Sequence, residues 1–352
     1  MSGEISQSVT TAESGGKGSR KPLLEVRGLT VEFATGHGWA RVVNDMSFTM
    51  YPESSIGLVG ESGSGKSVTA LSILGLIPSP PGRIVSGEIN FDGRNLLDVS
   101  SRHMRSIRGD EIGMVFQEPM TSLNPAFTVG EQIAEVVRLH REVKRSEAWE
   151  RAVEVLDLVG IPSSRSRAKD YPHQFSGGMA QRVMIAMALA CNPRLLIADE
   201  PTTALDVTIQ AHVLELLLDL QEHFQMAVLL VTHDFGIVAD FCDDALVMYA
   251  GQLVEEGSTQ ELFDRPLHPY TEGLLASMPQ SGNETDEGLM WSIPGVVPLP
   301  LSMPNGCRFH PRCPYTVDPD CTTRTIELTT WGDGSRRVRC CRATSLELQG
   351  TR

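Results

Sequence analysis

The stretch GESGSGKS at residues 60–67 decides the fold. It fits the pattern G-x-x-x-x-G-K-[ST], in which glycines let the chain curl so that backbone N–H groups and a helix N-terminus face phosphate groups. A short apolar strand at residues 55–59 precedes it and a helical stretch at residues 66–75 follows it, as such a loop requires. The predicted phosphate-binding residues are Gly60, Glu61, Ser62, Gly63, Ser64, Gly65, Lys66 and Ser67.

An acidic pair predicts the catalytic side of the same site. Asp199 and Glu200 follow a short apolar strand at residues 195–198. In phosphate sites of this kind, Lys66 reaches the β- and γ-phosphates, whereas Ser67 and an acidic residue hold Mg²⁺. We therefore expect Asp199 to bind Mg²⁺, directly or through water, and Glu200 to polarise the attacking water.

The composition is that of an acidic globular protein. The 352 residues are 41% hydrophobic and carry a formal net charge of −14. This charge disfavours a nucleic-acid partner, because a phosphate backbone requires a concentrated basic face. No window approaches the ~18 consecutive apolar residues of a membrane-spanning helix, so a membrane role has to come through partners. Residues 1–20 are polar and lack the apolar core of a secretion signal, which predicts a disordered leader in a cytoplasmic protein.

The hydrophobic pattern divides the chain into parts. Alternating apolar runs at residues 23–48 predict an antiparallel sheet. The buried runs at 195–198 and 227–232, joined by a helix at 208–223, predict parallel strands. We find no internal repeat in the sequence. The predicted parts are the leader at 1–20, a nucleotide-hydrolysing domain at 21–257 with a helical subdomain at about 120–190, and a proline-rich C-terminal extension at 258–352.

Four further motifs follow in a fixed order. FSGGMAQR occupies residues 175–182, Gln117 follows the strand EIGMVF, ALD occupies residues 204–206, and His233 follows AVLLVT. With the phosphate loop, this series resembles the ATP-binding-cassette (ABC) ATPases over residues 23–257. The resemblance implies ATP and Mg²⁺ as ligands and an α/β fold. That fold is a P-loop NTPase of the ABC nucleotide-binding type, with a RecA-like core, an antiparallel β subdomain and a helical subdomain.

The resemblance also implies roles for the motif residues. Gln117 joins Ser67 and Asp199 around Mg²⁺, and His233 acts with Glu200 in catalysis. Two cassettes sandwich two ATP molecules, because the helix after the signature serine points its N–H groups at the nucleotide of the opposite subunit. The signature residues acting in trans are Ser176, Gly177, Gly178 and Gln181, and the D-loop residue is Asp206.

Phe33 is the residue that we expect to stack on the adenine, because it is the aromatic side chain that ends the first strand segment. Trp39, in the loop that follows, is the alternative aromatic residue. A plain position in the hydrophobic core is the other interpretation of Phe33.

Three segments resemble the ATPases of oligopeptide and dipeptide importers: QEPMTSLNP at 117–125, RPLHPYTEGLLASMP at 265–279, and GCRFHPRCP at 306–314. The resemblance implies a second ABC ATPase subunit, a different chain, beneath two integral-membrane permeases. An extracytoplasmic solute-binding protein would feed the permeases, which places this chain peripherally on the cytoplasmic face of the cell membrane. Residues 120–125 and 131–139 are the expected permease contacts, with a plain surface loop as the alternative.

Other functions remain open at this stage. Importers of nickel, glutathione or other small solutes use very similar ATPases, so the cargo is undetermined. A non-transport ABC ATPase of translation or DNA repair usually carries two cassettes or a long coiled-coil insertion, and the segment between Ser67 and Ser176 is too short for one. An inactive regulatory cassette is disfavoured because all four expected residues of the hydrolytic site are present: Lys66, Asp199, Glu200 and His233.

Five of the seven cysteines lie in the C-terminal extension, which suggests metal ligation in a reducing compartment. Four thiolates suit a [4Fe–4S] cluster that braces the extension without a redox step, and Pro314 follows Cys313 as in ferredoxin-type ligand runs. Zinc is the rival, although its sites usually use close C-x₂₋₄-C pairs. Unligated thiols are the third interpretation. The predicted ligands are Cys307, Cys313, Cys321 and Cys340, with Cys341 as the alternative to Cys340.

Overall fold

The structure is a computed structural model that describes residues 21–203, 206–278 and 291–351. The predicted leader at residues 1–20 lies outside the described residues, as do Ala204 and Leu205 of the predicted D-loop. Among the residues within those three ranges, no helix is both long and apolar enough to cross a bilayer.

A four-stranded antiparallel sheet forms the first layer. Its strands are β1 (Leu24–Thr35), β2 (Gly38–Met50), β4 (Gly82–Phe91) and β5 (Arg94–Asn95). They are ordered β2-β1-β4-β5, and β1 pairs antiparallel with both β2 and β4. In β1, Leu24, Val26 and Val31 are buried, because the apolar residues of this segment face the rest of the protein.

An eight-stranded mixed sheet forms the centre. Its strands are β3 (Ser55–Val59), β6 (Ile112–Val115), β7 (Leu195–Asp199), β8 (Ala227–Thr232), β9 (Asp244–Tyr249), β10 (Gln252–Ser258), β11 (Thr329–Trp331) and β12 (Arg336–Val338). The order is β11-β12-β10-β9-β3-β8-β7-β6. The five strands β9, β3, β8, β7 and β6 are parallel to one another. The remaining pairs are antiparallel: β10 with β9, β12 with β10, and β11 with β12.

Alternation of side chains along the parallel strands explains the two hydrophobic layers. Ile197 of β7 and Leu229 of β8 belong to the cluster shared with the antiparallel sheet. Their neighbours Leu196 and Leu230 belong to the cluster shared with the helices. Because successive residues of a strand point to opposite faces, a short run that is apolar throughout is buried on both sides.

Eleven α-helices within the described residues complete the architecture. They are α1 (Lys66–Ile73), α2 (Ser101–Ile107), α3 (Pro119–Ser122), α4 (Val129–His140), α5 (Arg145–Leu158), α6 (Ser164–Arg167), α7 (Gly177–Leu189), α8 (Val207–Phe224), α9 (Phe235–Phe241), α10 (Thr259–Asp264) and α11 (Pro269–Ala276). Thr128 begins α4 with a capping box that it forms with Glu131. The predicted α/β class, with its antiparallel sheet and its run of helices α3 to α7, is confirmed.

The C-terminal extension is joined to the central sheet and does not stand apart from it. Strand β12 pairs with β10, with Glu255 opposite Val338, so the extension covers an edge that would otherwise expose unpaired backbone groups. Glu255 is fully buried and accepts bonds from Arg336 at 2.6 Å and from the backbone N–H groups of Leu267 and His268 at 2.8 and 2.9 Å. Burial raises the pKa of Glu255, and the guanidinium of Arg336 opposes that effect.

The substitution Arg336→Ala should destabilise the protein strongly, because it leaves a buried carboxylate without its cation. We expect the free energy of unfolding to fall by about 3 kcal/mol, measured as a lower denaturant midpoint. Arg324→Ala is the matched control, since Arg324 and its partner Asp320 are both well exposed, and it should cost less than about 0.5 kcal/mol. Equal midpoints for the two variants would contradict the role of the buried pair.

Candidate active site

The phosphate loop lies between β3 and α1, as predicted. Gly65 begins α1 with φ 104°, a left-handed conformation that glycine adopts without strain, and a Cβ there would lie 2.8 Å from the carbonyl oxygen of Val42. At Gly60 a Cβ would lie 2.1 Å from the carbonyl oxygen of Met248. Gly60 and Gly65 are therefore required by the close approach of neighbouring backbone.

Lys66 is a buried cation inside this loop. Its side chain is folded back so that Nζ donates to the carbonyl oxygens of Gly60 at 2.7 Å and Glu61 at 3.1 Å. Burial lowers the pKa of Lys66, while the charges of Glu200, Asp199 and Glu61 oppose the shift. The ammonium group thus sits where three carboxylates and a bound polyphosphate would all attract it.

Ser67 and Asp199 meet as the sequence predicts. The hydroxyl of Ser67 donates to Oδ1 of Asp199 at 3.0 Å, from the first turn of α1 to the end of β7. Burial raises the pKa of Asp199, and the bond from Ser67 lowers it. A hydroxyl and a carboxylate oxygen are the hard ligands that Mg²⁺ prefers, so these two residues fit the predicted metal.

Glu200 is the centre of a hydrogen-bond network. Its carboxylate accepts from Gln117 Nε2 at 2.8 Å and from the Thr203 hydroxyl at 2.8 Å, and it contacts His233 Nδ1 at 3.2 Å. Burial alone would raise the pKa of Glu200, but the bonds from Thr203 and His233 and the charge of Lys66 bring it below its usual value. The carboxylate is therefore ionised at neutral pH, as a base that polarises water requires.

The backbone of Glu200 is strained at the same point. Its φ of 47° lies in the left-handed region, which is unfavourable for a glutamate, and its N–H donates to the carbonyl oxygen of Val231 at 2.8 Å. The bond to β8 fixes this conformation and directs the side chain towards Gln117 and His233. Thr203 was not predicted, because a threonine three residues after the acidic pair has no pattern that distinguishes it from an ordinary turn residue.

A cleft of about 580 Å³ in front of the loop brings the predicted residues together. Gln117, Glu200 and His233 line it with the phosphate loop, and so do Leu274 and Ser277 from the C-terminal extension, which the sequence did not assign to the site. Phe33 does not line this cleft and packs instead against the core beside Gly82.

Trp39, the alternative aromatic residue for the adenine, is half exposed, and the Arg83 guanidinium lies over its ring at 3.6 Å. Stacking on the adenine therefore stays a prediction for both Phe33 and Trp39.

The signature residues lie away from the cleft. Ser176 occupies the N-cap position of α7 without a side-chain cap bond and is exposed with Gly177, whereas Gly178 is buried against Ile209. Gln181 is 2% exposed, and its contact with a nucleotide of a second subunit stays a prediction. Gln181 lies on the buried face of α7, which the eight-residue motif alone does not reveal. Asp206 caps α8 through a bond from the N–H of Ile209.

The five cysteines of the extension line one small cavity: Cys307, Cys313, Cys321, Cys340 and Cys341. Burial raises the pKa of Cys307 to about 11 and that of Cys340 to about 12. The adjacent Cys340 and Cys341 both face this cavity, although we expected only one of them to do so. Across the three described ranges, however, no group of three or more Cys, His, Asp or Glu residues could hold a metal ion as placed.

Comparisons with known proteins cover most of the chain. A family profile described as "ABC transporter" matches residues 43–203, and one described as "Oligopeptide/dipeptide transporter, C-terminal region" matches residues 254–321. The oligopeptide transport ATP-binding protein AppD of Bacillus subtilis is 51% identical over 318 residues, 90% of this chain and 96% of that protein. The oligopeptide transport ATP-binding protein OppD of Salmonella typhimurium is 51% identical over 296 residues, 84% of this chain and 87% of that protein.

A solved structure agrees with the fold. It is a dimeric ATP-binding cassette in a post-hydrolysis state, bound to ADP and Pi, and it is 28% identical to this chain with a TM-score of 0.61. The match covers 67% of this chain and 98% of that one. About a third of the present chain therefore lies outside this match.

Thr203→Val should slow nucleotide hydrolysis by about tenfold, because it removes a charge-assisted hydrogen bond that holds Glu200. The bond lowers the pKa of Glu200, so its loss raises that pKa, and the acid limb of the pH–rate profile should move to higher pH. Steady-state ATP turnover across pH, measured with the chain assembled with its partners, tests both effects.

Thr203→Ser keeps the hydroxyl and should recover most of the turnover. Thr330→Val, a change of the same size on the exposed strand β11, is the matched control. An acid limb that stays in place in Thr203→Val would show that Thr203 does not act on Glu200.

Proposed function

Because this chain belongs to the family of ATP-binding subunits of ABC-type oligopeptide and dipeptide transporters, we propose that it powers the uptake of peptides by hydrolysing ATP. It is an ATPase coupled to transport, and it works with membrane permease components. The observation that carries the proposal is the network in which Glu200 meets Gln117, Thr203 and His233 beside the phosphate loop.

Each residue of the cleft has a defined task in hydrolysis. The phosphate loop and Lys66 hold the β- and γ-phosphates, and Ser67, Gln117 and Asp199 would hold Mg²⁺, which neutralises phosphate charge when bound. Glu200 polarises the attacking water, since its pKa is held low and its carboxylate is ionised. His233 contacts Glu200 and acts with it in catalysis.

Hydrolysis requires a second cassette. The N-terminus of α7 carries backbone N–H groups, and Ser176 makes no side-chain cap bond among the described residues. An exposed helix N-terminus attracts anions, which supports a role for the signature residues at the nucleotide of a neighbouring subunit: Ser176, Gly177, Gly178 and Gln181. We propose that this neighbour is a different ATPase chain.

The permease contact is proposed for the exposed apolar residues of the helical region. Met120 is 48% exposed, Phe127 52% and Leu139 73%, and all lie in or beside the two predicted contact segments. Exposed large apolar side chains in these segments support an interaction surface there. This surface would meet two permeases at the cytoplasmic face of the membrane, with an extracytoplasmic solute-binding protein delivering the peptide.

The test is peptide uptake by the chain assembled with its permeases in lipid vesicles. Glu200→Gln should abolish ATP-driven uptake while the chain still binds ATP, and it should trap a closed pair of cassettes that elutes as a dimer in size-exclusion chromatography. The reason is that Gln cannot polarise the attacking water, so the γ-phosphate that joins the two cassettes is not removed.

Two outcomes would contradict the proposal. Turnover by Glu200→Gln at the wild-type rate would overturn the role of Glu200, and rapid hydrolysis by a demonstrated monomer would overturn the need for a second cassette. Transport of nickel or glutathione in place of peptide, measured in the same vesicles, would change the cargo and leave the ATPase assignment intact.

The proposed cofactor of the extension is a [4Fe–4S] cluster held by Cys307, Cys313, Cys321 and Cys340, with zinc as the rival. Its support is the single cavity that the cysteine side chains line. The sulfur atoms of Cys321 and Cys341 are 3.6 Å apart, which also leaves Cys341 as an alternative ligand. The role is structural, because nothing in the proposed ATP cycle transfers electrons.

Anaerobic purification of the full chain should give a brown protein with nearly equal iron and sulfide, because four thiolates are the usual ligands of such a cluster. Cys307→Ser and Cys313→Ser should lose the colour. Cys191→Ser, at a buried cysteine outside the extension, is the control and should keep it. A colourless chain that carries stoichiometric zinc would replace the cluster with zinc, and a chain with neither metal would leave free thiols.

A further inference from the structure

A buried arginine of the C-terminal extension reaches into the phosphate loop. The side chain of Arg312 is 4% exposed and forms a bidentate ion pair with the carboxylate of Glu61. Nη1 donates to Oε2 at 2.7 Å and Nη2 donates to Oε1 at 2.9 Å. Glu61 is the second residue of the phosphate loop. The two residues are 251 positions apart in the sequence. Their bidentate pair is the strongest form of Arg–carboxylate contact.

Every N–H group of the Arg312 guanidinium has an acceptor nearby. Nε donates to the carbonyl oxygen of Pro294 at 2.8 Å, Nη2 also donates to that of Ile293 at 3.2 Å, and Nη1 also lies 3.4 Å from the Tyr249 hydroxyl. A guanidinium has five N–H donors in a fixed plane, so such a set of acceptors holds it in one orientation. The guanidinium of Arg312 is therefore held in one position by these acceptors, whatever the position of the Glu61 side chain.

Glu61 itself lies at the phosphate-binding surface. Its carbonyl oxygen accepts from Lys66 Nζ, its N–H donates to the Tyr270 hydroxyl at 2.8 Å, and the residue is part of the lining of the cleft. Its carboxylate is also close enough to Lys66 to act on the charge of the ammonium group. An unpaired carboxylate here would repel an incoming polyphosphate and compete with it for Lys66.

A second tie runs from the same segment to the same loop. Arg308 donates through Nη1 to the carbonyl oxygen of Ala250. The next residue, Gly251, donates its N–H to the carbonyl oxygen of Ser64 at 2.8 Å. Residues 308–312 thus hold the phosphate loop at two points, directly through Glu61 and indirectly through the turn between β9 and β10.

We propose that Arg312 is a positioning residue for ATP binding: it neutralises Glu61 and holds that carboxylate away from Lys66, so that the C-terminal extension sets the affinity of the phosphate loop for ATP. The inference rests on the proposed function, since it assumes that the loop binds ATP. It also gives the extension a part in the nucleotide site that is independent of whether its cysteines hold a metal.

The alternative is an ion pair that only stabilises the fold. Such a pair contributes through contact, so removing either partner should weaken ATP binding or leave it unchanged, and removing both should not restore it. The electrostatic role gives opposite signs for the two single substitutions. Glu61→Gln leaves an extra positive charge beside the phosphates, Arg312→Gln leaves an extra negative charge, and the double variant leaves neither.

Titration calorimetry of the full chain with ATP and Mg²⁺ separates the two roles. We expect Arg312→Gln to weaken ATP binding by about tenfold, Glu61→Gln to tighten it by about threefold, and the double variant to recover most of the loss. Arg324→Gln, at an exposed arginine of the same extension, is the matched control and should bind as the wild type does. In the assembled complex, the KM for ATP should rise in Arg312→Gln by a larger factor than kcat falls.

Thermal unfolding of each variant shows whether it is folded. If Arg312→Gln does not fold, Arg312→Lys keeps the charge without the two-pronged geometry, and an ATP affinity about threefold weaker than wild type would support the proposal. Wild-type affinity in the folded Arg312 variant, or a double variant as weak as Arg312→Gln, would overturn it. A wild-type chain that binds no ATP would overturn the proposed function as well, which distinguishes the two failures.

Discussion

The buried charge of Lys66 is the constraint on which the rest of the site depends. An ammonium group removed from water is costly unless anions or carbonyl oxygens surround it. Lys66 is 5% exposed and donates to two carbonyl oxygens of its own loop. The negative charges of Asp199, Glu200 and Glu61 also stabilise its ammonium group. Each of those carboxylates must in turn be kept from closing on Lys66, because a direct ion pair would occupy the place of the phosphates.

The three carboxylates are restrained in three different ways. Asp199 accepts from Ser67, Glu200 is held by a strained backbone and by Thr203 and His233, and Glu61 is paired with Arg312. The first two restraints come from the central sheet and the segments next to it. The third comes from the C-terminal extension, and so does the Tyr270 hydroxyl that fixes the backbone of Glu61. The extension is thus part of the nucleotide site by contact as well as a cover for the edge of the sheet.

The sequence predicted whatever depends on local pattern. The loop at residues 60–67 and the buried strands β3, β7 and β8 lie where they were predicted, because a glycine-rich loop between a strand and a helix and a short fully apolar run each have few structural solutions. The meeting of Gln117, Glu200 and His233 followed from motif order in a family resemblance. The burial of Gln181 did not, since a helix face is decided by the segments that pack on it and not by the motif itself.

Contacts between residues far apart in the sequence could not be predicted, for a different reason. Arg312 and Glu61 are 251 residues apart, and Arg336 and Glu255 are 81 apart. Nothing in the pattern around an arginine of a proline-rich segment names its acidic partner, because the pairing is fixed by how β12 docks on β10 and how α11 lies beside the cleft. Both pairs join the extension to the rest of the chain through charges that are largely removed from water. Since a buried charge without its partner is far more costly than an exposed one, these two pairs fix where the extension sits. A shift in the extension would therefore move Arg312 relative to Glu61, and it would change the electrostatic effect of the Glu61 carboxylate on Lys66.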